Sequence, residues 1–322
     1  MEQKPTISVL MSVYNETESQ IRESVESMLH QTFSDFELII ICDNPQRSDV
    51  KPVLDSYKDS RIVYFQNPKN IALAMSMNKA AELAKADIFA RMDSDDVAEP
   101  NRFEVELPYL QSGEYDFVCS KYSAIDMNSN PIEHRTDIED RGTDINAEVP
   151  INPNVIHHPT VMFTRSIFEK TSGYRDFPCA QDADLWLRMS EVGCRFYMVN
   201  QNLLKYRLNP NGVTISKRFR SILTLNYIYS LSLMRIEKGY DSFSKGNYQN
   251  YMKSHGYGSA FQERIFTYSL KLKAKAFEKE ETGKNLQAFF LRALIFIICT
   301  TKRDIFLMRK KKREMLNKIE LI

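Results

Sequence analysis

The sequence predicts an α/β fold, a mostly parallel sheet flanked by helices, with a helical region added at the C-terminal end. Three observations carry that expectation. Short runs rich in β-branched residues alternate with segments of helical spacing through the first two thirds of the chain. The connections between them are short, as repeated β-α-β units require. Beyond Lys217 the β signals stop and the chain becomes helical, Tyr-rich and Lys-rich. The composition of the 322 residues, 43% hydrophobic and 26% charged, is that of a folded globular protein.

The elements follow in order. Ile7-Ser-Val-Leu-Met-Ser-Val13 is a β-rich run, and residues 17–30 carry apolar residues at Ile21, Val25, Met28 and Leu29, which is helical spacing. Thr17 and Gln20 are placed to form a capping box at its start. Phe36-Glu-Leu-Ile-Ile-Ile-Cys42 is apolar enough for a strand buried on both faces. A helix over 49–57, a strand over 61–65, a helix over 72–84, a strand over 87–92, a helix over 104–111 and a strand over 115–120 continue the series. Residues 126–159 are rich in Asn, Asp, Pro and Glu and read as loops. Order returns with a strand at 161–163, helices at 166–171 and 182–192, and strand pieces at 196–199 and 203–207. Asn209-Pro-Asn-Gly212 breaks the pattern. It sets expected domains of 1–212, with halves of about 1–120 and 121–212, and 213–322.

A net charge of +1 argues against an overall nucleic-acid footprint. The five cysteines show no metal-ligand spacing and no leader is read before them, so reduced thiols in a cytoplasmic protein are expected. No apolar run reaches the length that crosses a bilayer.

The densest chemical signal is Asp93-Ser94-Asp95-Asp96, directly after the fourth strand. Residues two apart in an extended segment face the same way, so Asp93 and Asp95 converge. Oxygen-only ligands at a sheet rim suit magnesium or manganese. A solvated acidic turn is the ordinary use of such a run, but ligand sites of open α/β sheets lie at the carboxyl ends of strands. The first strand ends in Tyr14-Asn15-Glu16 and the second in Cys42-Asp43-Asn44, at the same edge. Asp43 is a candidate reader of a nucleotide base, or simply the cap of the following turn. Asp182 falls at a helix start, as a cap or as a general base, and Asp184 competes for either role. His157-His158 has no third ligand nearby, so loop histidines are the first reading, with His158 lining an acceptor or metal site as the second.

Taken together these residues resemble family 2 inverting glycosyltransferases of the nucleotide-sugar-binding GT-A fold. The likeness runs through Ser8-Val-Leu-Met-Ser-Val-Tyr-Asn-Glu16, Ser27-Met-Leu-His-Gln-Thr-Phe33, Asn70-Ile-Ala-Leu-Ala-Met-Ser-Met-Asn78 and Ala90-Arg-Met-Asp-Ser-Asp-Asp96. It continues through Pro100-Asn-Arg102, His158-Pro-Thr-Val-Met162, Gly173-Tyr174, Gln181-Asp-Ala-Asp-Leu-Trp-Leu-Arg188 and Leu204-Lys-Tyr-Arg207. The wording is nearest to bacterial enzymes of O-antigen, capsule and exopolysaccharide synthesis. The resemblance implies a donor site of Ser12, Tyr14, Asn15, Glu16, Asp43, Asn70, Asn78, Arg91, Asp93, Ser94 and Asp95, with Asp43 on uracil. It implies Mn2+ or Mg2+ on Asp93, Asp95 and Asp96, Asp182 as catalytic base, and Asp184, Trp186 and His158 towards the acceptor. The implied reaction moves a hexose, galactose or glucose, from a UDP-sugar to a saccharide on undecaprenyl diphosphate, in β1,3 linkage to an N-acetylhexosamine.

The chain departs from the family's usual wording in three places. Cys42 stands where many relatives carry Asp, Ala72 stands for Gly, and Gln181 stands for the Glu before the base. The Gln-x-x-Arg-Trp motif of processive synthases is absent, which favours single transfers. A nucleotidyltransferase would need a Gly-rich loop after the first strand, and Tyr14-Asn15-Glu16 is no such loop. A catalytically silent sugar-nucleotide-binding protein is the other alternative.

The last third contains Ala288-Phe-Phe-Leu-Arg-Ala-Leu-Ile-Phe-Ile-Ile-Cys-Thr300, followed by a cluster of Lys and Arg. That pairing suits the inner face of the cytoplasmic membrane. A core-packing helix with a solvated charged tail is the equal alternative, and the resemblance favours the membrane.

Overall fold

The computed structural model describes residues 4–133, 143–209 and 218–319. Two compact units divide the chain, Met1–Pro210 and Asn211–Ile322.

In the first unit the opening series is β1 (Ile7–Val13), α1 (Glu18–Leu29), β2 (Phe36–Cys42), α2 (Val50–Asp55), β3 (Ile62–Gln66), α3 (Leu73–Leu83) and β4 (Ile88–Asp93). Every residue of β2 is buried, as a continuous apolar run predicts for an interior parallel strand. The capping box of α1 forms: Gln20 N–H donates to Thr17 Oγ1 at 3.3 Å and Thr17 N–H to Gln20 Oε1 at 2.9 Å.

The chain continues with β5 (Val97–Ala98), α4 (Arg102–Gln111), β6 (Phe117–Ile125), β7 (Pro131–Ile132), β8 (Met162–Thr164), α5 (Arg165–Lys170), α6 (Gln181–Glu191) and β9 (Phe196–Arg207). The strand order is β3-β2-β1-β4-β8-β6-β9-β5, with β7 on β6. Alternate residues of each strand enter opposite faces. Val9, Met11 and Leu38 meet Ile21, Val25 and Phe103 of α1 and α4 on one side. On the other, Leu10, Ile39 and Phe89 meet Met77, Phe168 and Trp186 of α3, α5 and α6.

The sheet is mixed, with its longer ladders parallel as expected, the β6–β9 ladder among them. The quartet β3-β2-β1-β4 is parallel, but β8 runs antiparallel between β4 and β6, and β5 and β7 are antiparallel as well. Only a parallel neighbour demands a long crossover, usually a helix, so the short β8, reached through loops, pairs antiparallel. The two strand pieces at 196–199 and 203–207 are one strand. Its register against β6 slips between Ser120, Lys121 and Tyr122, and the polar Asn200, Gln201 and Asn202 that seemed to separate the pieces lie at this bulge.

Among its described residues the second unit is helical: α7 (Arg218–Lys238), α8 (Lys245–Ser254), α9 (Ala260–Glu281), α10 (Asn285–Ile298) and α11 (Thr300–Ile319). Helices α7 and α11 are tied by polar bonds through the core, Asn226 Nδ2 to the Thr301 carbonyl at 2.9 Å and Lys312 Nζ to Ser232 Oγ.

Candidate active site

The topology brings three strand ends to one edge. Ser12 of β1 stands opposite Asp93 of β4, and Val13 stands opposite Cys42 of β2. The chain passes from β1 outward to β2 and β3, then returns to place β4 on the other side of β1. The gap between β1 and β4 is therefore the switch point at which open α/β sheets bind ligands.

The acidic loop after β4 is held rigidly. Ser24 Oγ donates to the Asp93 carbonyl at 2.8 Å, and Ser94 Oγ to the Ser12 carbonyl at 2.7 Å. Arg207 at the end of β9 does most of the rest. Its N–H donates to Asp96 Oδ1 at 2.8 Å, its Nε to the Asp95 carbonyl at 2.6 Å, and its Nη2 to Glu23 Oε2 at 2.8 Å. The sequence places Arg207 only within the family wording Leu204-Lys-Tyr-Arg207, with no role given, so its part as the anchor of this loop was missed.

The three aspartates have different surroundings. Asp93 retains 29% of its side-chain exposure and pairs with the guanidinium of Arg91. Burial, with the charges of Asp93 and Glu16, raises the Asp95 carboxyl to about 7. Asp96 is fully buried, pushed well above the usual carboxylate range by burial, and its Oδ2 has no hydrogen-bond partner. Its Oδ1 accepts the Arg207 N–H, so of the three carboxylates expected on an ion Asp96 is the one buried within the loop's support. Among the described residues no group of three or more His, Cys, Asp or Glu is arranged to hold an ion. Asp93 and Asp95 still fit a hard cation that takes its remaining ligands from water and phosphate, the usual protein share for magnesium. Burial is the larger cause of the raised Asp95 pKa, and the Asp93 and Glu16 charges that add to it are ones such a cation would offset.

Asp182 stands in the first turn of α6, whose N-cap is Ala180 in the left-handed region at φ 55°. The N-cap residue makes no side-chain bond to the helix, and the Asp182 carboxylate itself accepts a first-turn donor, the Ala183 N–H, at 2.9 Å. Burial raises its pKa, Asp93 adds to the rise and Arg91 opposes it. Asp182 therefore shares an electrostatic environment with the acidic loop, although 89 positions of sequence separate it from Asp93. Nearby, His158 Nε2 and Tyr174 OH lie 2.8 Å apart. Burial and the Arg91 charge pull the histidine well below its ordinary range, so it is neutral. Tyr174 is placed by Asn78, which accepts its N–H at 2.9 Å and donates to its carbonyl at 2.8 Å.

Two other candidates, Asp184 and Trp186, lie in the core. Asp184 is fully buried and bonded to the Arg188 guanidinium at 2.7 and 2.8 Å, and Trp186 is a core residue edge-on to Phe117 at 4.7 Å. On the helix, positions 182 and 184 differ by about 200° in direction, so only one faces the mouth. Arg91 is buried and donates to the Leu10 carbonyl at 3.3 Å, Ser12 and Ser94 bond each other, and Asn78 clamps Tyr174. Each of these supports a neighbour. Asp43 is nearly buried, with Oδ1 accepting from Asn67 Nδ2 at 2.8 Å and from the Ile71 N–H at 2.9 Å. It shapes the loop in which Asn70 Oδ1 accepts the Ala72 N–H at 3.0 Å. At the rim, Tyr14 is 43% exposed, its N–H donates to Glu16 Oε2 at 2.7 Å, and Asn15 Oδ1 accepts from Asn44 Nδ2 at 3.2 Å.

Residues 8–172 match the family described as Glycosyl transferase family 2. An uncharacterized glycosyltransferase of Methanocaldococcus jannaschii, MJ1057, is 30% identical over 270 residues, covering 83% of this chain and 87% of that one. The chain belongs to glycosyl transferase family 2. A UDP-Gal:alpha-D-GlcNAc-diphosphoundecaprenol beta-1,3-galactosyltransferase of Escherichia coli is 26% identical over 208 residues, 64% of this chain and 75% of its own. The fold is of the GT-A kind. Its likeness to S. aureus TarS 1–349, crystallised with UDP-GlcNAc, has a TM-score of 0.60 at 14% identity, over 97% of this chain and 92% of that one.

Proposed function

We propose that this glycosyltransferase moves a hexose from a UDP-sugar to a lipid-linked saccharide with inversion, using Asp182 as the base and a divalent cation on Asp93 and Asp95. The observation that carries the reading is the acidic loop at the switch point between β1 and β4, where Asp93 stands opposite Ser12 and Arg207 braces Asp95 and Asp96. A carboxylate held above its ordinary pKa is a better acceptor for a hydroxyl proton, and such a base contributes about 10²–10⁴-fold. The first turn of α6 fixes its direction. Arg91, bonded to Asp93 and felt by Asp182, keeps both groups from carrying unrelieved charge. A cation bound at Asp93 and Asp95 supplies positive charge to the leaving diphosphate. Attack opposite the leaving group turns an α-linked donor into a β-linked product without a covalent intermediate.

Galactose as the sugar, and β1,3 linkage to an N-acetylhexosamine on undecaprenyl diphosphate, draw support from the name of the Escherichia coli relative, and glucose rests on the family resemblance alone. They accord with the single-transfer wording of the sequence. The test is transfer from a panel of UDP-sugars, with manganese, to a synthetic N-acetylhexosamine diphospho-lipid, with the anomeric configuration of the product read by NMR. A retained configuration, or equal turnover after complete chelation, overturns the mechanism. Transfer of an N-acetylhexosamine alone overturns the choice of sugar.

A further inference from the structure

The second unit leaves a large apolar surface uncovered. Helix α10 buries only Ala288 and Ile295, while Leu286, Phe289, Phe290 and Ile297 are each 63–69% exposed. Helix α11 extends the surface with exposed Phe306, whose ring meets that of Phe296 at 5.6 Å, and exposed Leu307. Single exposed apolar residues are ordinary on a folded protein, but a clustered set of large ones marks an interaction site. The same segment is basic: residues 284–318 hold ten Lys and Arg against two Asp and Glu, in a chain of net charge +1. Lys284, Lys310, Arg313 and Lys318 are exposed.

The occupant of this surface must accept aromatic and aliphatic side chains and carry negative charge. It is not crossed: α10 is about 21 Å long against an apolar bilayer core of about 30 Å. No helix among the described residues is long and apolar enough to cross a membrane. A second copy of the chain would bring an equal excess of positive charge against the first, which like-charge repulsion disfavours. An anionic lipid surface meets every condition, with apolar rings entering the headgroup–acyl boundary and basic side chains staying among the phosphates. We infer that α10 lies in the plane of an anionic membrane, inserted through Leu286, Phe289, Phe290 and Ile297. This docking is independent of the transfer chemistry, although it would bring the enzyme to a lipid-linked acceptor.

Flotation of the full chain with vesicles tests it. Binding to vesicles containing phosphatidylglycerol is expected to exceed binding to pure phosphatidylcholine at least tenfold. The triple variant Phe289→Ser, Phe290→Ser and Ile297→Ser is expected to lose at least tenfold of it. A second variant, Lys284→Gln, Arg313→Gln and Lys318→Gln, is expected to lose severalfold and keeps the test open if the first fails to fold. Equal binding to both lipids, or binding unchanged by both variants, overturns the inference. So does a wild-type oligomer that the serine variant converts to monomer without any vesicle binding. Transfer to a water-soluble acceptor analogue, measured alongside, is expected to be unchanged in both variants. Its absence in the wild type would count against the transfer reading and leave the docking result standing.

Discussion

At the residue scale, Asp182 is the group on which the proposed chemistry turns. Asp182→Asn keeps the shape and the bond from Ala183 but loses the proton acceptor. Turnover is expected to fall at least about 10²-fold in a steady-state assay. The melting temperature should hold or rise, because a buried carboxyl with a raised pKa destabilises the folded state when ionised. The base works only when deprotonated, so the rate should fall as pH drops through its raised pKa. The acid limb of the pH–rate profile is therefore expected above the ordinary carboxylate range, and a limb inside that range would exclude Asp182 as the base. A second residue-scale expectation concerns Ala72, which holds φ 69° and ψ 159° at the start of α3, a region natural to glycine alone. The sequence already showed Ala where relatives have Gly, and the backbone has kept the glycine conformation. Ala72→Gly should stabilise the protein by about 1 kcal/mol in urea unfolding, through relief of that strain.

At the scale of elements, the loop from α5 to α6 depends on one close approach. Gly173 has φ 67°, and a Cβ there would stand 2.7 Å from Asn78 Oδ1 and 2.9 Å from Phe168. Gly173→Ala should therefore destabilise by about 1–3 kcal/mol and loosen the Asn78 clamp on Tyr174. Chemical denaturation measures the first effect, and a fall in kcat larger than the rise in KM measures the second. The parallel quartet was legible because interior strands are written as unbroken apolar runs. The rest of the sheet was less so: β5 and β7 are two residues each, too short for any period, and the bulge in β9 looks like a loop in sequence. The site divides the same way. The acidic loop, Tyr14 and Asp182 stood out by residue type and place, whereas Arg207 is recognised only once β9 lies beside the loop. Asp184 and Trp186 were misplaced because a short stretch of sequence does not reveal which side of α6 turns inward.

For the whole molecule, the crowding of acids at one edge sets how stability responds to pH and cations. Asp95 sits at about 7, and Asp96 and Asp182 are raised as well, chiefly by burial. Each binds a proton in the folded state that it lacks in the unfolded state above ordinary carboxylate pH. Their contribution is thus greatest below that range and is lost as pH rises through the folded values. Groups shifted the other way, such as Asp59 beside Arg61 and Asp116 beside Arg195, contribute above the ordinary carboxylate range and lose it as pH falls. On the proposed cation site, manganese would compete with the proton on Asp95. The rise in melting temperature on adding manganese is accordingly expected to be larger at pH 8 than at pH 5.5. Equal rises at both values would remove Asp95 from the cation site.

The chain contains one tryptophan, and it lies fully buried in the first unit. Indole emission under selective excitation therefore reports the melting of the catalytic unit alone, while far-ultraviolet circular dichroism records the helices of both. Coincident curves from the two signals would mark a single cooperative transition, and separated curves would give each unit its own midpoint from one unlabelled sample.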